Sequence, residues 1–214
     1  MTHAEARAIL RRAWSRVHGS PPGEGALTLA QAIANLETGY GRAGQFGALA
    51  ARGLYNWGAL ERQRLEDGTC PPGTEPGSDV GQVCFYVFRS DEDAAVAFLR
   101  TLTAAGGRNA DRARATLGAL QGGDAAAVAG AMRTPPAYYE GPPGSEAEKQ
   151  AAYAHAIRSS IAAAGNREPS AGGTPAARTT SAAVPVVIAL AALGAFGLWF
   201  YREGGFVALG RAVA

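Results

Sequence analysis

Residues 29–44 read LAQAIANLETGYGRAG. Leu29, Ile33 and Leu36 recur at helical spacing and give this stretch one apolar face. Thr28 stands where an N-cap would open that helix. The stretch carries no charge until Glu37, at its C-terminal end, and Thr38, Gly39, Tyr40 and Gly41 follow at once. The two glycines permit a sharp turn and a close approach to the backbone. A carboxylate at a helix C-terminus is opposed by the macrodipole, and partial burial disfavours its charged form as well. Both effects raise its pKa, and a carboxylic acid still protonated near neutral pH can donate a proton to a leaving oxygen. The plainer alternative is a solvated glutamate at a helix end.

Around this segment the chain reads as mainly helical. Ala6, Leu10, Trp14 and Val17 mark a helix over 4–18, with Arg7, Arg11, Arg12 and Arg16 on a face expected to be solvated. CFYVF (84–88) reads as a short strand, with the loop before it as a hairpin or lobe. Ser90 and Asp93 form a capping-box pattern that opens a helix carrying Val96, Leu99 and Leu102. Asn109 opens another with Leu117 and Leu120, and Asp124 caps a shorter one with Val128 and Met132. Ser145 with Glu148 is a second capping box, before a buried stripe of Tyr153, Ile157 and Ile161. The expected class is mainly α, of the α+β kind: helices with one small β lobe.

The chain has 214 residues and a net charge of +2, which points to no nucleic-acid partner. Its two cysteines, Cys70 and Cys84, bracket a turn-rich loop and are expected to form a disulfide, which implies an oxidising compartment. The alternative is a pair of free thiols. The first residues carry charges throughout and lack the apolar run of a signal peptide. Residues 166–182 are rich in Pro, Gly, Ser and Thr and read as a flexible linker. Residues 183–201 are almost wholly apolar, long enough for a transmembrane helix, and end in Trp199 and Tyr201 at an expected interface. The organisation is therefore a module at 1–165, a linker at 166–182, a membrane helix at 183–201 and a short tail at 202–214.

Four segments in order resemble the glucosaminidases of bacteria and phages, a family of peptidoglycan hydrolases in the lysozyme-like superfamily that includes mannosyl-glycoprotein endo-β-N-acetylglucosaminidase-like domains. They are the Glu37-Thr38-Gly39-Tyr40-Gly41 helix end, LYNWGALE (54–61), FYVFRSDEDAAVAFLRTL (85–102) and MRTPPAYYEG (132–141). The resemblance covers roughly residues 5–160. It implies a lysozyme-like helical domain that cleaves the β-1,4 glycan strand of peptidoglycan, with Glu37 as general acid. Tyr138 or Tyr139 would position the sugar; the family's late segment differs here, so the choice stays open. Tyr40, Asn56 and Trp57 would bind substrate, Asn56 by its amide and Trp57 by its ring face. The alternative for Asn56 and Trp57 is a buried turn with a core tryptophan.

The second carboxylate, the base of such a hydrolase, is expected on the β lobe. Candidates are Glu61, Glu66, Asp67, Glu75 and Asp79, with Glu75 and Asp79 best placed by position. The expected partners are the glycan strand and a lipid bilayer contacted through 183–201. Two placements are open: a virion membrane or tail component, or a bacterial inner membrane with the module facing the periplasm. His3, His18 and His155 are scattered, so no metal and no cofactor is expected. The competing functions are a lytic transglycosylase, which needs no water-activating base, and a non-catalytic glycan-binding component of an assembly.

Overall fold

The structure, a computed structural model, describes residues 1–76, 83–139 and 143–166. The expected span at 183–201 and nearly all of the linker lie outside the described residues. Among the described residues no helix is long and apolar enough to cross a membrane.

The described chain is mainly helical with one small sheet, as expected. Helix α1 (His3–His18) packs on α4 (Asp91–Thr103) and on α2 (Glu24–Thr38). Helix α2 also packs on α5 (Ala110–Gly122) and α7 (Glu146–Ala163), and α6 (Ala125–Met132) fills the angle between those two. A short helix α3 (Gln45–Ala51) follows the turn after Glu37. The main core is built from the apolar stripes read in the sequence: Leu10 and Trp14 of α1, Leu29 and Ile33 of α2, Leu99 and Leu102 of α4, and Ile157 and Ile161 of α7.

The caps explain why the helices start where they do. Ser90 Oγ accepts from the Asp93 N–H, Asp124 from the Ala126 N–H, and Ser145 and Glu148 complete a reciprocal capping box. One expected start is corrected. Helix α2 begins a turn earlier, at Glu24, and Thr28 lies buried inside it with its hydroxyl donating to Glu24 O at 2.8 Å. Gly23 and Gly25 read as breakers, but Glu24 in the first turn faces the helix dipole favourably and is held by Arg7 and Arg11 at 2.6 Å each. Helix α5 opens directly after Asn109 as expected, although Asn109 ends a 3₁₀ turn and makes no side-chain cap bond. The arginine face of α1 is solvated as expected at Arg11, Arg12 and Arg16, and from that exposed face Arg12 and Arg16 reach Glu92 and Asp93 of α4.

The β lobe is an antiparallel sheet in the order β1 (Glu61–Gln63), β3 (Val83–Tyr86), β2 (Thr74–Pro76). Glu61, Phe85 and Glu75 stand side by side across it and share one face, whereas Arg62, Cys84 and Pro76 share the other. On the first face Phe85 packs edge-on against Phe46 of α3, with ring centroids 5.0 Å apart, and so joins the lobe to the turn that follows Glu37. Cys70 and Cys84 form the expected disulfide, which ties the loop to the central strand. Replacing both cysteines by serine is expected to lower the unfolding free energy by roughly 3 kcal/mol, the loop-closure value for a ring of this size. Denaturant titration reads this directly, and an unchanged midpoint would contradict it.

Candidate active site

Glu37 is the next-to-last residue of α2, and the segment after it is a compact turn. Gly39 is left-handed at φ 55° and closes the helix through N–H bonds to the last carbonyls, with Tyr40 N–H returning to Ala34 O at 3.3 Å. Tyr40 and Gly41 are left-handed too, at φ 58° and 73°. Thr38 pins the turn by accepting from the Gly41 N–H at 2.8 Å. A β-carbon on Gly41 would lie 3.1 Å from Asn56 O and 3.2 Å from Asn56 N, so the glycine lets this turn lie directly against the 56–60 turn.

The 56–60 turn is organised by one side chain. Asn56 is fully buried; its Nδ2 donates to Leu60 O at 2.8 Å and Tyr86 O at 2.9 Å. Its Oδ1 accepts from the N–H groups of Gly58 at 3.2 Å and Leu60 at 2.9 Å. The amide is therefore spent on the backbone, and the buried-turn alternative describes Asn56 better than a sugar ligand does. Trp57 is likewise fully buried, with Nε1 donating to Asp91 Oδ1 at 2.9 Å. Tyr40 is buried as well, packs near the Trp57 ring and hydrogen-bonds His3 Nδ1 at 2.7 Å. The expected substrate-binding trio thus builds the wall behind the site. None of the three presents a free polar group.

The late tyrosines come to Glu37 instead. Tyr153 Oη of α7 donates a short hydrogen bond to Glu37 Oε1. The Tyr139 ring stacks on Tyr153 with centroids 3.9 Å apart, and its hydroxyl donates to Ala129 O at 3.2 Å. Tyr138 Oη donates to Gly58 O at 3.2 Å, which joins the late segment to the 56–60 turn. The charge of Glu37 reaches both Tyr138 and Tyr139 and raises their hydroxyl pKa values, on top of the larger effect of burial. Glu37 itself is pushed up to about 7 by burial, against the opposing pull of the Tyr153 hydrogen bond. Sequence reading placed Tyr153 only in the core stripe. Its spacing with Ile157 and Ile161 carried that role, and nothing local marks a hydroxyl that meets a carboxylate 116 residues away.

The acidic candidates on the lobe separate clearly. Glu75 is in an ion pair with Arg52, 3.1 Å apart. Asp67 is exposed and accepts from Thr69, and Glu66 is exposed. Asp79 lies outside the described residues. Glu61 is buried at 6% exposure, has no hydrogen-bond partner among the described residues, and is raised to about 7 by burial. Among the described residues no group of His, Cys, Asp and Glu could hold a metal ion. No protein family, curated protein or solved structure matches the chain.

Proposed function

We propose that the chain is a glycosidase of peptidoglycan, of the N-acetylglucosaminidase type, with Glu37 as general acid. The observation that carries this reading is the Glu37 carboxyl at the end of α2, raised to about 7 and hydrogen-bonded by Tyr153. Half of such groups hold a proton at neutral pH, which suits transfer to a glycosidic oxygen as positive charge develops on the sugar. The convergence of the 37–41 turn, the 56–60 turn and Tyr138 supports the same reading, because three segments distant in sequence pack against one another next to the helix end that carries Glu37. The base belongs to the β lobe in this proposal: Glu75, which pairs with Arg52 at the surface, and Asp79 are the candidates by position, whereas Glu61 lines a cavity that Glu37 does not share. The lysozyme-like architecture, the membrane tether through 183–201 and the virion or envelope setting belong to this proposal and rest on the sequence.

The test is release of soluble fragments from insoluble peptidoglycan by the full-length chain in detergent. Release supports the glycosidase, whereas retention on the wall without release favours a binding module. The Tyr153 hydrogen bond adds a sharper check. It stabilises the charged form of Glu37, so its removal in Tyr153→Phe raises the carboxyl pKa further. A general acid works only while protonated, so the alkaline limb of the pH–rate profile moves to higher pH in the variant. A limb that stays in place, or moves to lower pH, contradicts the assignment.

A further inference from the structure

A cavity of about 750 Å³ opens between α4 and the β lobe, and neither Glu37 nor its three tyrosines line it. One stripe of α4 forms a wall, with Val96, Ala97, Arg100, Thr101 and Ala104 at helical spacing. Leu60, Arg62, Tyr86 and Phe88 form the lobe side, and Val17 of α1 closes one end. We infer that this cavity is a second binding site, for a short peptide or N-acyl amino acid with a free carboxylate and an apolar side chain.

Three features specify that chemistry. Arg62 and Arg100 line the cavity and have no carboxylate partner among the described residues, so they can receive an anion. Asn109, only 3% exposed, also lines it, and its Oδ1 has no hydrogen-bond partner. That side chain is not spent as a helix cap, and a turn of its amide toward the cavity would let the buried oxygen accept an amide N–H of a ligand. Val17, Leu60, Phe88 and Val96 offer an apolar surface to a side chain. Two acids line the cavity as well, and neither forms an ion pair with Arg62 or Arg100. Asp93 is occupied by Ser90 and Arg16, and Glu61 shares its strand face with Phe85, opposite to Arg62. A volume of this size suits a ligand of two or three residues.

This inference goes beyond the glycosidase reading and does not depend on it. The test is calorimetric titration of the full-length chain in detergent with N-acetyl-Ala-Ala-Leu, as the free acid and as the C-terminal amide. The free acid is expected to bind, and both amidation and Arg100→Ala are expected to weaken binding by about tenfold, one charge-assisted hydrogen bond. Arg100 is exposed, so its removal leaves the core untouched. Arg114→Ala, at an exposed pair with Asp111 on α5, is expected to bind as wild type. Equal binding of acid and amide, an unchanged Arg100→Ala, or no binding at millimolar peptide would overturn the site. Glu37→Gln is expected to bind the peptide as wild type does, so the result is read independently of glycan cleavage.

Discussion

Glu37→Gln is expected to slow fragment release from peptidoglycan by roughly 10³-fold, the contribution of a positioned general acid. Glutamine keeps the shape of the side chain, and its amide oxygen can still accept from Tyr153. What it lacks is the proton to give. The variant is therefore expected to fold, and stability gives an independent reading of the same group. The Glu37 pKa rises from 4.5 to about 7 on folding, so between those values the folded chain holds more protons than the unfolded one. Stability then falls as pH rises through that window and levels off above it. Glu61 adds a fall of the same sign over the same range. Glu37→Gln removes only its own share, so the variant melts at a temperature equal to or above wild type at pH 8. A drop in rate of less than tenfold would deny Glu37 the role of proton donor.

Asn56→Ala is expected to cost roughly 3–5 kcal/mol of stability, because each buried partner left unmet costs about 1–3 kcal/mol and some recover. The carbonyl of Tyr86 and the N–H groups of Gly58 and Leu60 lose their Asn56 partner at once, while Leu60 O keeps only the Tyr86 N–H at 2.9 Å. Chemical denaturation reads the loss. Had Asn56 served as a sugar ligand, the variant would fold normally and show a raised KM. That outcome would return the residue to the substrate side of the site. The expected result also bears on Tyr138, whose hydroxyl anchors on Gly58 O and loses its register when the turn relaxes.

The sequence was most informative where one local rule sets the outcome. The capping residues Ser90, Asp124 and Ser145 and the stripes of α1, α4 and α7 were legible because each is a short-range pattern. Helix α3 was not, since GQFGALA carries two glycines and too few turns to show a period. Helix α2 was read a turn short because its first turn is held by arginines of another helix. At the site, Glu37 and its turn were legible from Glu-Thr-Gly-Tyr-Gly, whose glycines are needed where the chain turns left-handed. The partners of Glu37 were less so. An asparagine and a tryptophan look alike in sequence whether they meet a sugar or a backbone, and burial decides between those uses. Glu75 fitted by distance along the chain, and folding brings Arg52 alongside it, a pairing that sequence separation does not show.

The most direct measurement is the mass of the products released from purified peptidoglycan by the full-length chain and by Glu37→Gln. Fragments ending in a reducing N-acetylglucosamine are expected from the wild type, and the same fragments roughly 10³-fold more slowly from the variant. Anhydro-sugar ends would contradict hydrolysis and assign a transglycosylase. Equal rates from both proteins, or no products from either, would contradict Glu37 as the catalytic acid.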